Sequence, residues 1–418
     1  MRYFIEVISI NYAETLSLFR EKVMKKIIVL MLIIVFVVFS VACEVAEEPT
    51  EDGYVNEEND YEDETEEPDD YEYEEYVYED VYEDDPVIEI IHEPVIRDFY
   101  ETLEFLPGFA VYYFDRLQAI WDEDDGEMWG VPLHAPLIIF CRDTNIAVAS
   151  HPDEYGEFEE MYIDGTTVYV GEFSRTEISN LGLFVSMRNW DGQTGIFMSL
   201  HFMESPLTVA FQEFGYRGIQ DSSIINTMVI IHYSVHAIQL DLIGVVGALT
   251  PTGGGREIMV SYMLEINALV SALVSENDAD RLVAIRDALS IREARRDEFR
   301  TGANENELIV IEGAMPTYTE LHLMWDRDEI VEILRQVPDM FLQMETRLQV
   351  AISYGYNAGV MYGMFLDDAG VDWRYGIRKN TDLGLLLKEA LGITELLPLD
   401  EIDLERYRYS EIVAAVHG

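Results

Sequence analysis

From Glu44 to Pro86 the chain carries no lysine or arginine, while acids and tyrosines alternate, as in Tyr71-Glu72-Tyr73-Glu74-Glu75-Tyr76-Val77-Tyr78. Such a segment repels itself and buries too little apolar area to offset the entropy of ordering it. Residues 43–86 are therefore expected to be an acidic, tyrosine-rich disordered tether, with a reach on the order of 140 Å at about 3.3 Å per residue. A weak calcium- or partner-binding strip is the alternative, although the segment has no loop of spaced Asp and Gly of the kind calcium sites use. Folding has to begin after the tether. The roughly 330 residues that follow suffice for a large core, in one big domain or two closely packed ones.

Upstream of the tether, Met24-Lys25-Lys26 leads into an apolar run from Ile27 to Phe39 and then Ser40-Val41-Ala42-Cys43. A basic start, an apolar centre and a small-residue end are the three regions of an export signal. The arrangement resembles a bacterial lipoprotein signal, which implies that residues 1–42 are removed and that Cys43 becomes the lipidated first residue of the mature chain. Residues 1–23 add no signal of their own, so Met24 is the expected start. A plain transmembrane anchor is the other reading, but the run is at the short end for a span of about 20 residues and small residues close it. The expected location is the extracytoplasmic face of the cell membrane, held by lipid.

Charge and cysteine content narrow the function further. Removing residues 1–42 takes away five basic and three acidic residues, moving the formal charge from −54 to about −56. A surface so acidic does not hold nucleic acid phosphates, and nucleic acid is excluded as a partner. The chain has two cysteines. With lipid on Cys43, only Cys141 remains, and no intramolecular disulfide can form.

Residues 87–220 read as mixed α and β. Phe99 to Trp121 has helical periodicity, and Pro136 to Ala149, Thr166 to Phe173, Leu183 to Met187 and Gly195 to Phe202 are short β-rich runs bounded by Gly, Asp and Asn. Over residues 221–418 the pattern changes to long helices, at about 222–245, 257–275, 278–298, 304–325, 328–346, 349–368 and 382–391. The expected fold class is α+β, with strands first and a helical bundle after.

Two of those helices carry candidate chemistry. His232-Tyr233-Ser234-Val235-His236 sets two imidazoles at i and i+4, on one face and a turn apart, where both can bind a single metal ion. Histidines so placed also occur simply packed and hydrogen-bonded. Glu312, on a second helix, supplies the carboxylate that a two-histidine site needs as its third protein ligand, with a fourth position left to water. Its other reading is a solvated helix carboxylate. Glu265 reads either as the partner of a ligating histidine or as an ion-paired helix residue. Arg286, Arg292, Arg295 and Arg296 are expected to pair with local acids, and Tyr354, Tyr356 and Tyr362, interleaved with Gly355, Gly359 and Gly363, to pack in the core.

Taken in order, these stretches resemble the gluzincin metallopeptidases, in which an H-E-x-x-H helix supplies two zinc ligands and a later E-G-x-A-x-Y-type helix the third. The counterparts are His232 to Gln239, Gly255-Arg256 with Leu264 to Leu269, Ala284 to Arg295, Glu312 to Thr319, and Gly355 to Asp367 with Trp373. The resemblance covers residues 125–395 or so. It is similar to a group of bacterial exported proteins with a gluzincin-like core. It implies zinc at His232, His236 and Glu312, with Glu265 and Tyr318 supporting the ligands from behind.

The chain departs from that pattern twice. Tyr233 stands where the family has the glutamate that takes a proton from zinc-bound water, an assistance typically worth about 100- to 10,000-fold. A phenol, with a model-peptide pKa of about 10, does not replace it at neutral pH. Tyr318 also follows Glu312 by six residues, one more than the pattern, with Pro316 between them. An added residue in a helix can be absorbed as a π-bulge. The expectation is a tethered extracellular lipoprotein with a degraded peptidase site that binds or scaffolds peptide or cell-envelope material. The alternatives are an active zinc peptidase with a displaced base, Glu257 or Glu265, and a metal-free adhesin or structural lipoprotein.

The anchoring step is directly testable: Cys43→Ala should release the protein from membranes or leave it unprocessed. Normal processing with continued membrane fractionation of that variant would count against lipidation at Cys43.

Overall fold

The computed structural model describes residues 99–418 except 154–155, 182–184, 204–221, 245–254 and 345. The expected export signal and tether, with Cys43, lie outside the described residues. Among the described residues no helix is long and apolar enough to cross a membrane. The architecture is α+β, with a six-stranded sheet between residues 137 and 199 and helices after it.

Helix α1 (Phe99–Asp124) precedes β1 (Leu137–Phe140), β2 (Ile146–Ala149), β3 (Glu159–Ile163), β4 (Thr166–Glu172), β5 (Val185–Trp190) and β6 (Gln193–Ser199). The spatial order is β3-β4-β2-β1-β6-β5. Among the described strands only β1 and β6 run parallel, with Phe140 opposite Ser199, and the other pairs are antiparallel. Two hairpins turn on Asp-Gly. Asp164 and Gly165 have φ of 50° and 99°, and Asp191 and Gly192 have 51° and 76°. Two consecutive left-handed residues match the twist of the flanking strands, which is why Asp-Gly is favoured there.

The sheet is buried on both faces. Leu137, Ile139, Ile146, Val148, Ile196 and Met198 face α1 and the helical body, whereas Ile138, Phe140, Ala147, Ala149 and Phe197 pack with Trp190, Ile178 and Leu181. The alternation follows from side chains pointing to opposite faces at successive positions. The first of these clusters continues through the helices, so strands and helices share one core. The sequence division near residue 220 falls in the undescribed stretch 204–221.

The helical body comprises α2 (Ser222–Ile243), α3 (Glu257–Leu273), α4 (Asp278–Phe299), α5 (Gly302–Leu308), a π-helix (Ile309–Thr317), α6 (Tyr318–Met324), α7 (Arg327–Arg335), α8 (Val337–Phe341), α9 (Arg347–Asp368), α10 (Leu383–Ala390) and α11 (Tyr409–His417). Helix α3 is apolar nearly all round, as a helix at the centre of a bundle must be, and it packs on α4, α8, α9 and α11. Starts are set by local capping. Asn277 accepts from Asp280 N–H at α4, and Thr346 and Gln349 form a capping box at α9.

Three local expectations need correction, and one strand was not expected. The single helix expected at 328–346 is two short ones, α7 and α8, ending at Phe341. The run from Gly195 to Phe202 is a strand only to Ser199, since Leu200–Met203 is helical. Pro136 to Ala149 is two strands joined by a turn that ends at Asn145, which has φ of 63°. Strand β3 carried no signal, because Glu159-Glu160-Met161-Tyr162-Ile163 is an outer strand with nearly every side chain exposed.

A buried ionic network joins α3, α4, α5 and α9. The Arg295 guanidinium donates to Glu265 at 2.6 Å, to Glu305 at 2.9 Å and to the Tyr354 hydroxyl at 2.8 Å, and it lies over the rings of Tyr262 and Tyr354. Tyr362 donates to Glu265 at 2.6 Å. Arg292 and Arg296 pair with Asp382, at the start of α10. The expected pairing of these arginines with acids is what the structure has. It also corrects the reading of Glu265, which is fully buried in this network and hydrogen-bonded by Arg295, Tyr354 and Tyr362, not by a histidine.

Removing one partner from such a network leaves an uncompensated buried charge, which costs about 3–5 kcal/mol. Burial alone would raise the Glu305 carboxyl, but Arg295 and the hydrogen bonds from Arg295 and Thr301 outweigh it and hold the group at about 2, below its ordinary 4.5. A depressed carboxylate stabilises the fold above its unfolded pKa, and that contribution disappears as pH falls through the folded value. At about 1.4 kcal/mol per pKa unit, Glu305 should account for a loss on the order of 3 kcal/mol between pH 4.5 and 2. Denaturant unfolding across that window should show the slope in the wild type. Glu305→Gln should be less stable at neutral pH and lack this part of the slope.

Candidate metal centre

Helix α2, the π-helix and α6 lie side by side, and α2 also meets β6. His232 and His236 project from one side of α2, their ring centroids 4.8 Å apart. Glu312 comes from the π-helix, with its nearer oxygen 3.7 Å from His236 Nε2. One donor atom from each of the three residues lies within 4.8 Å of the others. A tetrahedral zinc with bonds of about 2.0–2.1 Å has ligand atoms about 3.3 Å apart. Small side-chain rotations therefore bring the three to bonding distance, and the donor set of two imidazoles and a carboxylate fits zinc.

Hydrogen bonds behind the rings decide which nitrogens remain available. Glu320 Oε2 sits 3.1 Å from His232 Nδ1, and a carboxylate only accepts, so Nδ1 carries a proton and Nε2 is the nitrogen with a lone pair to offer when the ring is neutral. Gln239 Nε2 donates to the Ile311 carbonyl at 2.8 Å, which leaves Gln239 Oε1 to accept from His236 Nδ1 at 2.7 Å. His236 Nε2 is then the free donor, on the side of Glu312. Metal-ligating histidines are held in just this manner, the far N–H fixed by an acceptor that sets tautomer and ring orientation.

The two imidazoles titrate in opposite directions. Burial pulls His236 down to about 3, reinforced by repulsion from His232 and only partly offset by Gln239, so the ring is neutral as a ligand must be. For His232 burial also acts downward, but the charge and hydrogen bond of Glu320, with Glu312 beyond it, prevail and raise it. A proton therefore competes with a cation at His232 as pH falls.

The carboxylate is placed by two unusual local features. Glu312 lies in the π-helix Ile309–Thr317, which runs up to Tyr318, and Pro316 sits within it. It packs on α9 through glycines. A Cβ on Gly313 would fall 2.1 Å from the Gly355 carbonyl oxygen, and one on Gly359 would fall 2.3 Å from Ala314 N. At that separation Tyr356 of α9 reaches the site and hydrogen-bonds Glu312. Burial first, then the nearby carboxylate, pushes its phenol well above the ordinary range, which keeps it a donor.

Other expected participants are elsewhere. Tyr318 does not support the ligands: its hydroxyl bonds Asp367 and Arg374, and its ring stacks on His322. Glu265 is committed to Arg295. Glu257 is exposed at the start of α3. Tyr233 lies at the site, its ring centroid 5.7 Å from that of His236. Glu320 was not anticipated. Its position eight residues after Glu312, two helical turns on, is the signal that places it on the same side.

Compared with protein-family models, curated proteins and solved structures, the chain matches none of them.

Loss of an acceptor behind a ligating imidazole typically lowers metal affinity about 10- to 100-fold. Glu320→Ala should weaken zinc binding by that factor at neutral pH. It should also displace the pH at which protons compete to lower values, because the charge that raises His232 is gone. Unchanged zinc affinity, measured by competition with a chromogenic chelator, would show that Glu320 does not support a ligand.

Proposed function

We propose that the protein is a membrane-tethered extracellular lipoprotein whose gluzincin-like domain holds a zinc ion at His232, His236 and Glu312 without hydrolysing peptides. Its role is to bind or scaffold peptide or cell-envelope material. The observation that carries this reading is the pairing of a supported ligand set with a missing base. Both imidazoles have their Nδ1 hydrogens taken up by Glu320 and Gln239. The side chain following His232, where a proton acceptor is needed, is Tyr233.

The chemistry that such an ion supplies is polarisation of a bound water or carbonyl. The protein's own groups are arranged for binding. His232 and His236 offer Nε2 lone pairs, Glu312 balances charge, and Tyr356 holds Glu312 through its hydroxyl. A peptide carbonyl or a carboxylate of envelope material would meet the open position opposite these ligands. With Tyr233 in place of the glutamate of the family pattern, the general-base contribution of about 100- to 10,000-fold would be absent.

The full chain should bind zinc, lose it on His236→Ala, and leave a broad peptide library uncut. Tyr233→Glu restores the proton acceptor and is expected to introduce zinc-dependent cleavage. Cleavage by the wild-type protein that His236→Ala abolishes would overturn the proposal in favour of an active peptidase.

A further inference from the structure

A second group of ligating side chains shares no residue with the one on α2 and the π-helix. Among the described strands β1 and β6 are the one parallel pair, in register with Phe140 opposite Ser199, so the residues that follow them leave the sheet side by side. Cys141 and Asp143 follow β1, and His201 follows β6. His201 Nε2 and Asp143 Oδ2 are 3.1 Å apart, and one donor atom from each of Cys141, Asp143 and His201 lies within 4.8 Å of the others.

The local chemistry is that of an unsatisfied polar site. His201 Nδ1 and Thr144 Oγ1, in the turn after Cys141, are buried and have no hydrogen-bond partner. Buried polar atoms without partners are few in folded proteins and mark places where a bound ion or water belongs. Cys141 is 2 % exposed. Its backbone N–H bonds the Ile146 carbonyl at 2.8 Å, which continues the ladder and fixes where the thiol lies. A buried thiol beside an imidazole and a carboxylate is too enclosed to act on a large substrate, but a single ion needs little room.

We propose that Cys141, Asp143 and His201 form a second divalent-cation site with thiolate, carboxylate and imidazole donors. This donor set suits zinc-like, borderline-soft ions and disfavours calcium and magnesium, which take oxygen ligands. Three protein ligands leave a position open. Access is from the Asp143 and His201 side, where those side chains are 36 % and 34 % exposed. A surface depression of about 370 Å³ adjoins Asp143 there, with Arg142 and Arg175 on its wall. The site is independent of the one on α2 and differs from it in containing sulfur.

That difference supplies the test. Cobalt(II) added to the full chain should give a near-ultraviolet sulfur-to-metal charge-transfer band, which a site of histidines and carboxylate does not produce. The band should persist in His236→Ala and Cys43→Ala and vanish in Cys141→Ser. His201→Gln and Asp143→Asn change partly exposed residues and leave the buried thiol in place. Each should weaken cobalt binding at least about tenfold with helicity unchanged by circular dichroism. These two variants carry the test should Cys141→Ser fail to fold. The proposal is overturned if the wild type gives no such band, if the band survives Cys141→Ser, or if His201→Gln binds cobalt as tightly as the wild type.

Discussion

The contact between the π-helix and α9 fixes the geometry on which the rest of the helical body depends. Gly313, Gly355 and Gly359 let the two backbones meet with no side chain between them. Interiors are close-packed, so any added methyl would force the helices apart instead of being absorbed. From this one approach follow the placement of Glu312 beside His236, the reach of Tyr356 to Glu312, and the seating of the π-helix against α2. The π-helical turn is part of the same constraint. An ordinary α-helix of this length would present Glu312 and Tyr318 on different faces from the ones they occupy, because each added residue rotates everything after it.

Two polar layers cross the helical body and divide its charged residues by task. One is built on Arg295 with Glu265 and Glu305, and has carboxylates, phenols and guanidinium in mutual satisfaction. The other, on α2 and the π-helix, holds His232 and His236 through their Nδ1 atoms and leaves Nε2 out of those bonds. The first network specifies packing. The second keeps ring nitrogens for a ligand.

Much of this was legible in the sequence, and the exceptions have physical causes. Apart from 328–346, which is two short helices, the long helices appear close to where apolar periodicity placed them, since an amphipathic or fully buried helix writes its period directly into the residues. His232, His236 and Glu312 come together because helical spacing fixes the first two and the third sits on a neighbouring helix. Glu265 is ion-paired, one of its two readings, and not a histidine's partner; spacing left both open because its pairing with Arg295, 30 residues away, leaves no trace in local sequence. Strand β3 was invisible since an exposed strand needs no alternation. Cys141, Asp143 and His201 were not grouped because only the parallel register of β1 and β6 brings them together.

Gln239 has a further consequence. Its amide joins His236 on α2 to the backbone of Ile311 in the π-helix, one residue before Glu312. The imidazole and the carboxylate on either side of the site are thus tied to one another through a single side chain. Rotating His236 out of line breaks a buried bond, and so does sliding the π-helix. A cation lodged between them could not escape by the flip of one side chain, and its residence time would be governed by how often α2 and the π-helix separate.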